Sequence, residues 1–544
     1  MSLRPFSSQT SLFGLGSLLD RIFPSDNRYR VFSQTIYPLL VEQRPKLEAL
    51  YCPDNGRPGL EPVLLLGVSI LQFMDRLPDR QAAEALEINL GWKVALGLDL
   101  DAPGFHPTSL VYFRDRLLEH DQGRLAFDAV LQGLEKAGLV PQRGKQRLDS
   151  THVLGLVKKM SALERVREAI RLALLELEAW LADAPHPAWW RLFWERYVES
   201  QVEYRSPKEV LQGKLLQAGQ DLAQVLQWMD GIQEFPQDLT KALLLRRVFA
   251  EQFEWEEGQL QIRPSQPAGA VQNPHDPQAH WCAKGQGSEK KEWVGYKVQV
   301  AETVSEGSGE PGSVPRSFLT AVETQSATGS DEAGLEQVLA VQAEQGLERP
   351  AELYVDGAYV SGAKLEEARR EGWELIGPAQ PPAQKGSELH ADAFEVSIQE
   401  RRAVCPGGKV SRQCSRLEEQ ATGKVTYRFE WGSACRECPL RVRCVTGAQA
   451  HRTLVVGEHH EALQARRQEM KTPEFEKKQQ RRNAIEGTQS ELVRGHGMRR
   501  ARYRGLLKVR LQNYLIGAAC NVKRWIRVTR AELKTAAGGA LQMT

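Results

Sequence analysis

The sequence predicts a multidomain α+β protein, a mixed β-sheet with helices on both faces, preceded by an all-helical region and enlarged by a helical and a cysteine-rich insertion. Three observations carry that reading. Short β-prone runs alternate with helical stretches in the order β-β-β-α-β-α-β, a block of helical periodicity at 158–262 interrupts that order after its first strand, and five of the eight cysteines fall between Cys405 and Cys444. At 544 residues, 41% hydrophobic and 26% charged, the chain has material for several domains.

Residues 1–140 read as helical. Stretches 64–73 and 80–96 predict helices, with Pro78 and Asp79 as turn and cap between them, and a further helix starts after His106-Pro107-Thr108 with Leu110, Phe113 and Leu117 on one face. Short helices joined by tight turns make either a helix-turn-helix DNA reader or an ordinary helical hairpin. The longest apolar run, 63–73, falls short of the roughly 20 residues that cross a bilayer. Arg4, followed by Ser7, Ser8, Gln9 and Thr10, shows no secretory pattern, so an intracellular protein without a membrane span is expected.

The first strand, within 141–157, is Gln146-Arg147-Leu148-Asp149-Ser150-Thr151-His152-Val153-Leu154. Helical spacing then runs through Leu163, Val166, Ile170, Leu174, Leu177 and Leu181, and again through Leu211, Leu215, Leu222, Val225 and Met229, to end near Leu260. Trp180, Trp189, Trp190, Trp194, Trp228 and Trp255, half of the 12 tryptophans, fall in this block and read as its core. Residues 265–290, rich in Pro, Gly, Gln and Asn, read as a linker. The sheet resumes over 263–380 with strands at 293–300 and 318–322 around a Gly/Ser/Pro-rich loop, a helix at 331–345, a strand at 352–356, a helix at 362–371 and a strand at 373–376. A cysteine-rich insertion at 381–465, a closing helix with a basic region at 466–530 and a tail at 531–544 complete the order.

Asp149 and Asp356 each stand at the end of an apolar strand, as Leu148-Asp149-Ser150 and Val355-Asp356-Gly357, where sites of α/β sheets are built. Gly357 allows close backbone approach beside the second. Neighbouring strands would make the two carboxylates converge, and such a like-charged pair calls for a divalent cation. Taken singly, each is equally a turn residue. The third candidate is Glu486, within Arg481-Arg482-Asn483-Ala484-Ile485-Glu486-Gly487-Thr488.

With these pieces, and with Gly295-Tyr296-Lys297-Val298-Gln299 as a second strand, the chain resembles the DDE transposases of bacterial insertion sequences from about residue 56 to 524. The resemblance implies an RNase H-like core whose Asp149, Asp356 and Glu486 hold two Mg²⁺ or Mn²⁺ ions. One branch of the family carries a Tyr-Arg-Glu-Lys signature around the glutamate; Arg482 falls at its arginine, while Gln479 and Val493 occupy the tyrosine and lysine positions and Arg494 stands next door. Ser150, Thr151 and His152 adjoin the site, either supporting it or simply ending a strand.

The formal net charge of +2 conceals an uneven distribution. Residues 465–530 hold 18 Lys plus Arg against 5 Asp plus Glu, a window of +13 that leaves −11 for the remainder. Arg482, Arg494, Arg499, Arg500, Arg502, Arg504, Lys508 and Arg510 are the candidate phosphate contacts, with salt-dependent affinity. Leu506, Leu507, Val509, Leu511, Tyr514, Leu515 and Ile516 predict an amphipathic helix there.

Cys435-Arg-Glu-Cys438 followed by Cys444 gives a Cys-x2-Cys-x5-Cys spacing, and Cys405-Pro-Gly-Gly supplies a fourth thiol, a set that suits one structural Zn²⁺. Reduced, unliganded thiols are the alternative. Cys414, His451, His459 and His460 are substitute ligands, and Cys52, Cys282 and Cys520 read as unrelated. The zinc would brace the insertion or present Arg436, Arg441 and Arg443 to DNA.

The resemblance thus implies a Mg²⁺-dependent endonuclease and strand transferase acting on double-stranded DNA at insertion-sequence ends and target. A homodimer on paired ends and a place in the bacterial cytoplasm at the nucleoid go with it. Its rivals are a non-catalytic DNA-binding descendant and a nuclease of the same fold without strand transfer.

Overall fold

The computed structural model describes residues 22–52, 59–182, 184–200, 205–285, 287, 290–305, 316–382, 389–420, 423–445 and 449–541. The N-terminal stretch from Arg4 to Thr10 and the middle of the 305–317 loop lie outside them.

The helix Pro62–Asp75 starts on Pro62, whose missing N–H costs nothing at a helix start, and ends on Arg76 in the left-handed conformation (φ 60°). It is apolar nearly all round and is buried nearly all round, which makes it the pillar of the N-terminal region. The stretch read as one helix over 80–96 is two, Asp79–Ile88 and Leu90–Ala95. Asn89 divides them, its side chain accepting from the amides of Gly91 and Trp92 to cap the second. Helices Thr108–Glu119 and Leu125–Lys136 follow.

Among the described residues thirteen strands form four sheets. β1 (Lys145–Leu154), β4 (His280–Lys284), β5 (Lys291–Thr303), β6 (Leu319–Ser326), β7 (Glu352–Tyr354) and β8 (Glu374–Ile376) make the central one. Its spatial order is β6-β5-β1-β7-β8, with β4 pairing the first residues of β5. β1, β5 and β6 are antiparallel neighbours, whereas β7 and β8 run parallel to β1. The two parallel crossovers carry helices Asp331–Glu344 and Gly362–Glu371 between the strands they join, as such connections require. At Gly295 β5 lies against both β1 and β4, and a Cβ there would sit 2.0 Å from the Val153 carbonyl oxygen. Only glycine fits that crossing.

The stretch read as a linker over 265–290 contains β4. Its residues are all half-buried or exposed, so burial imposes no alternation that a pattern could reveal.

Val31, Phe73, Trp92 and Phe127 of the N-terminal helices, Val300 and Val322 of the sheet, and Leu515 and Val522 of the long helix Leu506–Leu541 belong to one continuous core. The helix predicted there exists, but it is not amphipathic: residues 511–522 are buried on every side between the sheet and the N-terminal region, and Leu507 is exposed.

The helical insertion has a core of its own. Ser161 and Glu164 form a reciprocal capping box at the start of helix Ala162–Leu181, an arrangement worth about 1 kcal/mol. Helices Lys208–Asp230 and Thr240–Gln252 pack beside it, and the block ends not in helix but in a hairpin of β2 (Phe253–Glu256) and β3 (Gln259–Ile262). Trp190 is buried and Trp189, Trp194 and Trp228 pack on the core, but Trp180 and Trp255 are exposed. The amide of Met160 donates to the Gln272 carbonyl at 3.2 Å, so the two ends of the insertion meet beside the sheet.

The cysteine-rich region is a small β module, with β9 (Glu395–Ser397) paired to β10 (Arg402–Val404), and β11 (Gln413–Glu418), β12 (Val425–Glu430) and β13 (Thr453–Gly457) in a second sheet. Phe394, Phe429 and Trp431 centre its core. Among the described residues no helix is long and apolar enough to cross a membrane.

Candidate active site

Asp149 is not at a strand end: it is the fifth residue of ten in β1, opposite Val300 of β5. Only the pairing with β7 stops short of it, at Arg147 opposite Tyr354, so Asp149 lies where β1 loses one neighbour and keeps the other. Asp356 stands two residues beyond β7 and caps the turn Gly357–Tyr359. The Pro378 carbonyl would lie 2.9 Å from a Cβ at Gly357, the close approach expected of that glycine.

Parallel pairing of β1 with β7 brings the two aspartates to one place, and a cation joins them there. Arg482 Nη2 donates to Asp149 Oδ2 at 2.9 Å and lies 3.8 Å from Asp356 Oδ2. Each aspartate uses its other oxygen on the next amide: Asp149 Oδ1 accepts from Ser150 at 2.8 Å and Asp356 Oδ1 from Gly357 at 2.5 Å. Asp149 is 15% exposed and Asp356 52%. Burial pushes the Asp149 carboxyl above its ordinary value against the pull of Arg482 and the Ser150 amide, and the Asp356 charge adds to the rise.

Glu486 is exposed on the helix Ile485–Ser490. Contacts on both sides hold its segment against β1: Arg147 donates to the Arg481 carbonyl at 3.2 Å, Arg482 reaches Asp149, and Gln489 Nε2 donates to the Ser150 carbonyl at 3.2 Å. Beneath it, Glu302 on β5 is fully buried and has three side-chain partners. Arg147 and Arg524 bind it at 2.6 and 2.8 Å, Thr488 Oγ1 donates to it at 2.7 Å, and Arg147 is also its direct cross-strand partner. Arg524 continues to Glu491 at 2.8 Å. This network ties sheet, glutamate helix and long C-terminal helix together, and nothing in the local pattern of β5 announced it.

Tyr359 is a second group that the sequence reading missed. Its hydroxyl donates to Gln299 Oε1 at 2.5 Å. Burial, with the carboxylates of Asp331, Asp149 and Asp356 adding, pushes that hydroxyl far up, so it remains a donor behind the aspartates. Beside them, burial and the cations Arg499, Lys284 and Lys291 push the His152 imidazole down to about 4, and its ring lies 4.9 Å from that of Trp293. Ser150 and Thr151 continue β1.

Of the other predicted phosphate contacts, Arg494, Arg500 and Arg504 are exposed. Four spend donors inside the protein. Arg499 donates to the His152 carbonyl and Arg502 to that of Leu77, both at 2.8 Å, Arg510 donates to the Thr324 carbonyl at 3.2 Å, and Lys508 pairs with Asp115 at 2.7 Å.

Cys405, Cys435, Cys438 and Cys444 line one cavity of about 20 Å³ under Trp431. That is room for one water-sized sphere. A Cβ on Gly407 would lie 3.5 Å from Cys438 Sγ and 3.7 Å from Cys405 Sγ, so the Cys-Pro-Gly-Gly turn folds over both thiols. Burial raises the Cys444 thiol, Arg452 opposes it, and the three other cysteines add to the rise. Cys414, His451, His459 and His460 are not in the lining; His451 and His459 pair with Glu430 and Glu366.

Among the described residues, Glu491, His496 and Cys520 are the one group of such ligands whose atoms all lie within 4.8 Å of one another. Arg524 already neutralises its carboxylate. Neither the three acidic residues nor the four cysteines are drawn together that tightly.

The sheet thus gathers two aspartates on one cation, Arg482, beside a basic helical segment. The family described as Transposase domain (DUF772) matches residues 17–116, and the Transposase DDE domain family matches residues 404–526. Both matched families are transposase families, which supports the resemblance to a DDE transposase of the insertion-sequence type. The second match spans most of the cysteine module, Glu486 and the long helix to Ile526, while Asp149 and Asp356 fall outside both. Neither the curated proteins nor the solved structures contain a match to the chain.

Proposed function

We propose that the protein cleaves DNA at insertion-sequence ends and joins the freed 3′-hydroxyl to target DNA, using Asp149, Asp356 and Glu486 to hold divalent cations. The observation that carries this reading is the convergence of Asp149 and Asp356, from adjacent parallel strands, within 4 Å of one guanidinium nitrogen. Two carboxylates that already share a cation have the chemistry of a Mg²⁺ site. The strand order β6-β5-β1-β7-β8, with three antiparallel strands followed by two parallel ones, supports an RNase H-like core.

Asp149, Asp356 and Glu486 would hold Mg²⁺ there, and the ions would supply activation of the attacking water or 3′-hydroxyl and charge neutralisation at the leaving oxygen. Asp149 is the desolvated, anchored member of the pair and Asp356 the open one, so substrate approaches from the Asp356 side. Arg482 yields its place between them and turns to a phosphate. The Glu302 network keeps the Glu486 helix beside β1, leaving only the glutamate side chain to close on the pair. Exposed Arg494, Arg500 and Arg504 bind the backbone of the cleaved duplex. The joint use of two ends calls for a dimer on DNA, in the bacterial cytoplasm at the nucleoid.

The four cysteines suit one structural zinc: their number and their shared cavity fit the ion's ligand set, and its binding would deprotonate the Cys444 thiol against the rise that burial imposes on it. Metal analysis of purified protein should find one zinc per chain, absent from Cys438→Ser; a metal-free wild type leaves the thiols unliganded.

The catalytic reading is tested with purified protein, end-containing DNA and Mg²⁺ or Mn²⁺. Cleavage, and joining of a labelled 3′ end into plasmid, should fall at least about 10³-fold in Asp149→Asn, Asp356→Asn and Glu486→Gln, whose folding is checked by circular dichroism. Full activity in any one of them removes that residue from the site. Cleavage without joining would make the protein a nuclease.

A further inference from the structure

Away from the aspartates, Lys523, Arg527, Arg530 and Lys534 line a cleft of about 430 Å³ together with Arg28 of the helix Arg28–Val31 and Met74. No acidic residue lines it. The four helix cations are spaced 4, 3 and 4 apart, which puts them on one face of Leu506–Leu541 over about 16 Å of its axis. Three of these cations have a carboxylate partner outside the lining: Arg28 pairs with Asp75 at 3.3 Å, and Arg527 and Arg530 make longer pairs with Glu491 at 3.7 Å and Asp26 at 3.8 Å. The Arg530 Nε is buried without a hydrogen-bond partner.

We propose that this cleft binds the phosphodiester backbone of a second stretch of duplex DNA, next to the one at the carboxylates. The inference rests on the proposed action on DNA. A row of four cations about 16 Å long on one helix face, only partly offset by two long ion pairs, matches a linear polyanion, and along a duplex axis that length spans several phosphates of one strand at about 3.4 Å each. The row is rigidly presented. On other faces of the same helix Arg524 is locked into the Glu302 and Glu491 contacts, and Trp525 and Val528 are buried. Arg28 closes the cleft from the N-terminal region, so the bound backbone lies between two elements distant in sequence. Through Glu491, which Arg527 approaches, the cleft adjoins the segment that carries Glu486. DNA held here would be continuous with the duplex being cut.

The test is fluorescence anisotropy of a labelled duplex of arbitrary sequence over a salt series, comparing wild type with the triple variant Lys523→Gln/Arg530→Gln/Lys534→Gln. Loss of two to three phosphate contacts should lower the slope of log Kd against log salt by about 2 to 3 and weaken binding at least about tenfold near 0.1 M salt. Arg28→Gln, on the opposite wall, should lower the slope by about 1, and it reads the same cleft should the triple variant fail to fold. Unchanged slopes in folded variants of a wild type that does bind DNA overturn the cleft and leave the catalytic reading standing. A wild type that binds no DNA overturns both.

Discussion

At the scale of single residues, the decisive side chain is Arg482. It stands 18% exposed between two carboxylates, in the position that a divalent cation would take, and its Nε is buried with no hydrogen-bond partner. A charged hydrogen bond of this kind is worth about 1.5–3 kcal/mol. Arg482→Gln should therefore lower the melting temperature of metal-free protein, and saturating Mg²⁺ should raise it more in the variant than in wild type because the ion no longer competes with a guanidinium. Equal Mg²⁺-induced shifts in a differential scanning experiment would show that Arg482 does not guard the pair. A second residue sets the acid limit. His496 is 1% exposed, bonds the Phe73 carbonyl at 3.3 Å, and is pushed by burial down to about 4 from an ordinary 6.5. The unfolded chain takes up that proton more readily, so the contribution is present above pH 6.5 and is lost as pH falls towards 4. It amounts to on the order of 3 kcal/mol, and urea unfolding of His496→Gln should show a correspondingly shallower loss between those pH values.

At the scale of elements, strands 352–354 and 374–376 and helices 331–344 and 362–371 were legible because each is short, bounded by polar turns and internally patterned. What joins them was not. The convergence of Asp149 with Asp356 depends on which strand pairs β1 on each edge, and pairing is a property of residues some two hundred apart. The cysteine spacing was readable, but the strands that carry it were not, since β11 is almost wholly exposed and imposes no alternation. The basic run was legible as charge and misleading as surface: Arg499, Arg502 and Arg510 spend donors on backbone carbonyls that no local pattern reveals. Glu302 is the plainest case. It lies beyond the strand read at 293–300, and Arg147 in β1, two residues before Asp149, is one of its two arginine partners, found only through the pairing of β1 with β5. Glu302→Gln would leave Arg147 buried without its countercharge and Arg524 with Glu491 alone, and breaking a buried pair typically costs about 3–5 kcal/mol. It should unfold at correspondingly lower urea and lose cleavage in parallel, because the same contacts hold the Glu486 helix. Wild-type stability in that variant would mean that Glu491 alone suffices for Arg524.

At the scale of the whole molecule, the N- and C-terminal regions and the helical insertion stand in opposite relations to the sheet. Phe73 and Phe127 share their core with Leu515 and Val522, so the two ends of the chain are parts of one folding unit despite their separation in sequence. Their interlock also explains why the charge distribution, and not the net charge of +2, carries information: the basic C-terminal segment is held against helices from the opposite end of the chain. The insertion shares no such core. Its buried residues, from Leu163 to Val271, pack among themselves. Its ends are joined by the Met160 amide on the Gln272 carbonyl and by Asn273 Nδ2 on the Lys158 carbonyl at 3.0 Å, so a few residues can bridge them. Replacing 161–271 by a short Gly/Ser linker should leave the remaining chain folded, with its melting transition within a few degrees of the corresponding one in the full protein, while the fragment 158–273 should give a cooperative helical melt alone. The linker variant also separates stability from function: if it folds and still binds DNA with an unchanged salt slope, the insertion contributes no phosphate contact, and a reduced slope would assign it one. Aggregation of the linker variant would show instead that the sheet needs the insertion to cover β4, the edge strand that lies beside it.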